Sequence, residues 1–257
     1  MILPGMVSVT FRSLSPRRII ELTAQAKLAA IEWGGDIHVP HGDLSTAASI
    51  RRMCEASGIA ISAYGSYFRA DAAPEPSAAA VVDTAAELGT RVVRVWAGAT
   101  GSAAATPAHR AAVVEQLARC CDLAAARNLV VATEFHGGTL TDQVESCERL
   151  LDEVNRPNFR TFWQPPNGMK CDLALAGLQR VRNRLAHVHV FHWFPDHLHR
   201  LPLVDGRERW VKYLKEVAAQ TAIDGETRYA SLEFVRDDST DQFQQDAATL
   251  RAWLERK

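Results

Sequence analysis

The chain has 257 residues, 47% of them hydrophobic, with 29 basic and 30 acidic side chains and a formal net charge of -1. That balance supplies no electrostatic footprint for nucleic acid and no polybasic patch for a membrane surface, and no apolar run approaches the ~20 residues of a membrane span. The first residues lack a signal peptide's basic and apolar regions, and the five cysteines are odd in number with no CxxC pair, which predicts a cytoplasmic protein with reduced, buried thiols.

In chain order, short β-branched or apolar runs alternate with helical patterns. The first strand is expected at Val7 (VSVTF), followed by a helix with Ser15 as its cap and Pro16 at its first position. Strands are expected next at Ala30 (AIEW) and Ile59 (IAISAY), and the Ala70 to Ala80 stretch reads as a loop entering a helix. That helix, Ala78 to Leu88, stops at Gly89, just before a strand at Val92 (VVRVW). An Ala- and Leu-rich helix from Pro107 to Arg127 ends at Asn128 and leads to a strand at Leu129 (LVVATEF). Strands at Phe159 (FRTFWQ), Ala186 (AHVHVF) and Tyr229 (YASLEF) follow. Helices fill Asp172 to Val181 and Trp210 to Thr221, and an amphipathic helix from Thr240 to Glu255 closes the chain.

Eight apolar strands, each followed by a helix, predict a parallel sheet covered by helices. The length is close to the ~250 residues typical of one (β/α)8 TIM barrel, which is the expected fold. An open doubly wound sheet is the alternative, but no GxGxxG or Walker-type loop follows the first strand. With no linker in the sequence, residues 1–257 read as one domain.

In such a barrel the reactive groups stand at the C-terminal ends of the strands. Four later strands end in groups able to bind a metal: Glu134 and His136; Gln164 and Asn167; His187, His189 and His192; and Glu233. A carboxylate in an apolar strand is costly to bury alone, and Glu134 and Glu233 at equivalent places call for a shared positive partner. A divalent cation is the simplest one, and an oxygen-rich set with one imidazole suits manganese, magnesium, cobalt or zinc. Either carboxylate by itself is equally well explained by an arginine partner or a helix cap.

The strand-five E-x-H, strand-seven HVHV and strand-eight LEF, together with AIEWGGDIHVP and LPLVDGRERW, resemble the sugar phosphate isomerase/epimerase group of the xylose isomerase-like superfamily. The resemblance implies one metal ion held by Glu134, Gln164, His189 and Glu233, with Gln164 where the group has an Asp. It also departs from the group's pattern at Asn167 and His192. It implies a small-molecule carbohydrate substrate and proton abstraction beside a carbonyl through a metal-stabilised enediolate. In that scheme Glu134 abstracts the proton, Glu233 returns it, and His136 orients a hydroxyl. His38, Trp96, His192 and Arg200 are expected to line the substrate pocket, and a homo-oligomer is compatible with the group.

Two rival functions use the same residues. A dehydratase of an inosose-like polyol ketone begins with the same proton abstraction and needs an acid for the departing hydroxyl, which His136 or His192 would supply. A non-catalytic sugar-binding barrel would account for the Asp-to-Gln change. A repair endonuclease of the superfamily is disfavoured, because strands three and four end in Tyr64 and Trp96 rather than His.

Overall fold

Eight parallel strands hydrogen-bond in sequence order and the last pairs with the first, so the sheet closes into a barrel. The computed structural model describes residues 1–71 and 76–255. The strands are Ile2–Val7 (β1), Ala30–Gly34 (β2), Ala60–Arg69 (β3), Val92–Trp96 (β4), Val130–Thr133 (β5), Phe159–Trp163 (β6), Leu185–Val190 (β7) and Arg228–Leu232 (β8). Between and after them run Pro16–Gln25 (α1), Leu44–Ala56 (α2), Ala78–Leu88 (α3), Pro107–Ala125 (α4), Val144–Val154 (α5), Cys171–Val181 (α6), Arg207–Asp224 (α7) and Thr240–Glu255 (α8). This is the TIM barrel that the alternating pattern predicts. Of the loop expected between Ala70 and Ala80, residues 72–75 lie outside the described residues.

The helix boundaries follow local chemistry. Ser15 accepts a hydrogen bond from the Arg18 amide ahead of Pro16, and Thr106 accepts one from the His109 amide ahead of Pro107. At the other end of α3, Gly89 takes a left-handed conformation (φ 83°) that a side chain resists. The inward faces of the helices carry Val81, Ala85 and Leu88 of α3, Val113 and Leu117 of α4, and Leu150 and Val154 of α5 into one core.

The first strand is displaced from its expected place. It is Ile2–Val7, and Ser8–Phe11, part of the expected VSVTF strand, forms a buried 3-10 turn. Pro4 and Gly5 argue against a strand when read by composition. Yet a Cβ on Gly5 would come within 3.1 Å of the Ala30 carbonyl oxygen and 3.0 Å of Ser231 Oγ, so glycine lets β1 close the barrel between β2 and β8. Pairing with β8, from Ile2 opposite Arg228 to Met6 opposite Leu232, then fixes the strand.

No helix among the described residues is long and apolar enough to cross a membrane. All five cysteines are free; Cys54, Cys120, Cys121 and Cys147 are buried and Cys171 is partly exposed. Burial pushes the Cys54 thiol up to about 11 and those of Cys120 and Cys147 up to about 12. An aromatic disulfide reagent at pH 8 should therefore titrate one thiol in the native protein and all five in guanidinium. Fast reaction of three or more native thiols would contradict this packing.

Candidate active site

Side chains alternate along a strand, so each strand presents every second residue to the barrel interior. At the C-terminal mouth this places Glu32 of β2, Arg94 and Trp96 of β4, and His189 of β7 together with three residues just past strand ends, Glu134, Gln164 and Glu233. The two strand-end glutamates are held by the sheet: the Glu134 amide donates to the Val95 carbonyl and the Glu233 amide to the Val190 carbonyl, each at 3.0 Å. Past Glu233 the chain turns through Phe234 at φ 45°, a costly conformation for a non-glycine residue. The turn is secured by the Phe234 amide on Thr10 Oγ1 (3.1 Å) and the Trp193 indole on the Phe234 carbonyl (3.2 Å).

His189 has no exposed surface and lies at the centre of the cluster. Its Nε2 meets Glu32 Oε2 at 2.9 Å, so this nitrogen carries a proton and donates it. Its Nδ1 faces three oxygens: Gln164 Oε1 at 3.0 Å, Glu233 Oε2 at 3.5 Å and Glu134 Oε1 at 3.6 Å. Ligand atoms about 2.1 Å from one metal ion lie about 3.0 Å apart at a right angle and about 3.4 Å apart at a tetrahedral angle. The distances from Nδ1 to the three oxygens are near those values. The donor atoms of Glu134, His189 and Glu233 all lie within 4.8 Å of one another, so these side chains could hold one ion.

The charges agree with that reading. Glu32, Glu134 and Glu233 are each 5% exposed or less, and Arg94 is 2% exposed. Arg94 Nε donates to Glu32 Oε1 at 2.5 Å, Arg94 Nη1 pairs with Glu134 Oε2, and the Trp96 indole N–H donates to the same Oε2 at 2.6 Å. Burial would raise Glu32, but Arg94 and His189 outweigh it and hold its carboxyl down at about 2. Burial likewise opposes charge on His189, yet Glu233 and Glu32 raise it to about 10. Glu233 is pushed up to about 7, by burial first and then by Glu134 and Glu32 against the pull of His189 and Arg94. A proton on His189 thus supplies the positive charge at the centre. A divalent cation in its place would bring three carboxylates into balance with one guanidinium and one metal.

Glu134, Gln164, His189 and Glu233, the four ligands that the resemblance implies, are brought to one point. The substrate-pocket residues are divided. Trp96 and His136 stack at the mouth, their ring centroids 4.8 Å apart. Arg200 stands at the rim over Phe234 and pairs with Asp238 at 2.6 Å. His38 is corrected: it is 5% exposed, with Nδ1 on Ser8 Oγ (2.9 Å) and Nε2 on the Leu14 carbonyl (3.2 Å), which leaves no ring nitrogen for a substrate. His192, two residues past the end of β7, lines a crevice against α7 with Asn167, Arg209 and Trp210.

Sequence reasoning assigned no role to Arg94 or to Glu32. The signal was present in both, a charged residue inside an otherwise apolar strand (VVRVW and AIEW).

A family model described as xylose isomerase-like TIM barrel matches residues 20–254. The chain belongs to the xylose isomerase-like TIM-barrel family. A 3-dehydroshikimate dehydratase from Bacillus anthracis is 38% identical over 71 residues, 28% of this chain and 25% of that protein. The match thus spans about a quarter of that relative's length. Among solved structures, the probable 3-DHS dehydratase of petrobactin synthesis from Bacillus anthracis superposes with a TM-score of 0.74 at 18% identity, over 97% of this chain and 98% of that one. A D-allulose 3-epimerase from Methylomonas sp. superposes with a TM-score of 0.70 at 14% identity, over 98% and 97% of the two chains. At these identities the superpositions establish the shared barrel. Proteins described as a dehydratase and as an epimerase thus share this barrel.

The buried charges also predict a pH dependence. His189, raised from 6.5 to about 10, contributes stability that is complete below 6.5 and lost as pH rises towards 10. Glu233, raised from 4.5 to about 7, acts in the same direction over a lower window. Chelator-treated protein should lose resistance to urea between pH 6.5 and 9.5, and His189→Asn should flatten that slope. An equal slope in the variant would show that another group carries it.

Proposed function

We propose that this chain catalyses divalent-metal-dependent proton abstraction beside the carbonyl of a polyhydroxylated small molecule, as a sugar or sugar-phosphate isomerase or epimerase. The observation that carries the reading is the convergence of Gln164 Oε1, Glu233 Oε2 and Glu134 Oε1 on His189 Nδ1 within 3.6 Å. These four residues would hold the metal. When bound, the ion supplies Lewis-acid polarisation of the substrate carbonyl and its neighbouring hydroxyl.

The two glutamates are not equivalent. Glu134 Oε2 already accepts from Arg94 and from the Trp96 indole, so its electron density is engaged. Among the described residues the Glu233 carboxylate takes no hydrogen bond and faces His189 Nδ1 at 3.5 Å. Glu233 is therefore assigned as the proton acceptor, with Glu134 as the opposed carboxylate that orients and returns a proton. This reverses the order of roles expected from sequence. Trp96 and His136 would flank the substrate, with Arg200 at the rim.

The same asymmetry favours a second reading. One competent base and one histidine at the mouth, His136, are the pair that a dehydratase needs: Glu233 takes the proton beside the carbonyl and His136 protonates the leaving hydroxyl. The dehydratase activity of the 71-residue match supports this course.

Elemental analysis of the purified protein should find about one manganese, magnesium, cobalt or zinc per chain, lost in Glu233→Ala. Ketoses and polyol ketones incubated in deuterated water should then show exchange at the carbon beside the carbonyl, slowed about 10²- to 10⁴-fold by Glu233→Gln. Isomeric products support the first reading, and water loss abolished by His136→Ala supports the second. A wild-type protein that takes up no metal after supplementation would refute both.

A further inference from the structure

We propose that Arg94 is the positioning residue of this site, acting on two metal ligands at once: directly on Glu134, and through Glu32 on His189. This rests on the metal reading given under the proposed function. Arg94 is 2% exposed and commits Nε to Glu32 and Nη1 to Glu134, so its influence on the chemistry passes through these partners.

Its geometry divides into two arms. Nη1 pairs with Glu134 Oε2, which also receives the Trp96 indole at 2.6 Å. With that oxygen doubly engaged, only Oε1 of Glu134 faces His189 Nδ1, and Glu134 becomes a one-oxygen ligand. On the other arm, Nε donates to Glu32 Oε1 at 2.5 Å, while Glu32 Oε2 takes the His189 Nε2 proton at 2.9 Å. That second bond fixes the ring so that Nδ1 points at the other three donors. A carboxylate behind a ligating histidine has this effect generally: it sets the tautomer and orients the ring.

The fold makes room for this link. Glu32 is on β2 and Arg94 on β4, with β3 between them. The residue of β3 at the crossing is Gly65, and a Cβ there would lie 2.7 Å from Arg94 Nη2 and 2.8 Å from Glu32 Oε1. Arginine is also the side chain that can serve both arms, because its planar fork offers separate N–H groups to two carboxylates on different strands. A lysine ammonium is a single point of charge on a flexible stem and would hold one arm at the expense of the other.

A merely structural Arg94 would neutralise buried carboxylates and affect stability alone. A positioning Arg94 sets how the metal is bound. The test uses the full-length chain as wild type, Arg94→Met, Arg94→Lys and Glu32→Gln, each checked for folding by circular dichroism and thermal melting. Manganese affinity is read from the electron paramagnetic resonance of free Mn2+, and coordination from the visible spectrum of the cobalt-loaded protein. Arg94→Met should weaken Mn2+ binding about 10- to 100-fold and alter the cobalt spectrum. Arg94→Lys and Glu32→Gln should shift both in the same direction by less.

Wild-type affinity and spectrum in folded variants would overturn the proposal. So would tighter binding, the result expected if Arg94 only repelled the cation. Should Arg94→Met fail to fold, Arg94→Lys and Glu32→Gln decide by the same criteria. A wild-type protein that binds neither metal would remove the metal reading itself, whereas unchanged variants of a metal-binding wild type remove only the role of Arg94.

Discussion

Three carboxylates, those of Glu32, Glu134 and Glu233, are buried within the mouth of one barrel, and the site is organised around the cost of placing them there. An isolated buried carboxylate loses several kcal/mol of solvation that only a close positive partner restores. Arg94 supplies one such partner and stands between Glu32 and Glu134. The second positive charge belongs at His189 Nδ1, where a proton and a divalent cation are alternatives. His189, the three carboxylates and the buried arginine thus form one electrostatic unit, which under the proposed function a metal would join.

The barrel makes that unit rigid. Each charged group hangs from a strand whose backbone is hydrogen-bonded on both sides, and the residues just past strand ends remain tied to a neighbour, as Glu134 is to Val95 and Glu233 to Val190. Only small residues are tolerated where the groups crowd, which explains Gly65 beneath the Arg94–Glu32 contact. Trp96 stacks on His136 and Trp193 packs against Phe234; under the proposed function substrate selection would fall to these rings.

Within the family, epimerases and dehydratases begin from similar requirements: a carbonyl must be polarised and a neighbouring proton removed. The two reactions part when a second group either returns the proton or expels a hydroxyl. In this chain the engagement of Glu134 by Arg94 and Trp96 makes the two glutamates unequal. Under the proposed function, the balance between the outcomes would rest on residues that are not themselves ligands.

The barrel was legible in the amino-acid sequence because its strands are continuous apolar runs and its helices carry their own stop and start signals, such as Ser15-Pro16 and Gly89. The strand-end positions of Glu134, Gln164, His189 and Glu233 were legible for the same reason, since period-two alternation assigns a face once the strand is known. The first strand was not, because Pro4 and Gly5 read against a strand and Gly5 serves a close approach to β2 and β8 that no local pattern encodes. Nor could sequence pair Arg94 with Glu32 and Glu134, 62 and 40 residues away, or show that His38 spends both nitrogens on Ser8 and Leu14. Local sequence dictates which residues face inward at each strand end. Which of them meet, and which oxygen of a carboxylate is left for a metal, is decided only when strands distant in the chain become neighbours in the closed sheet.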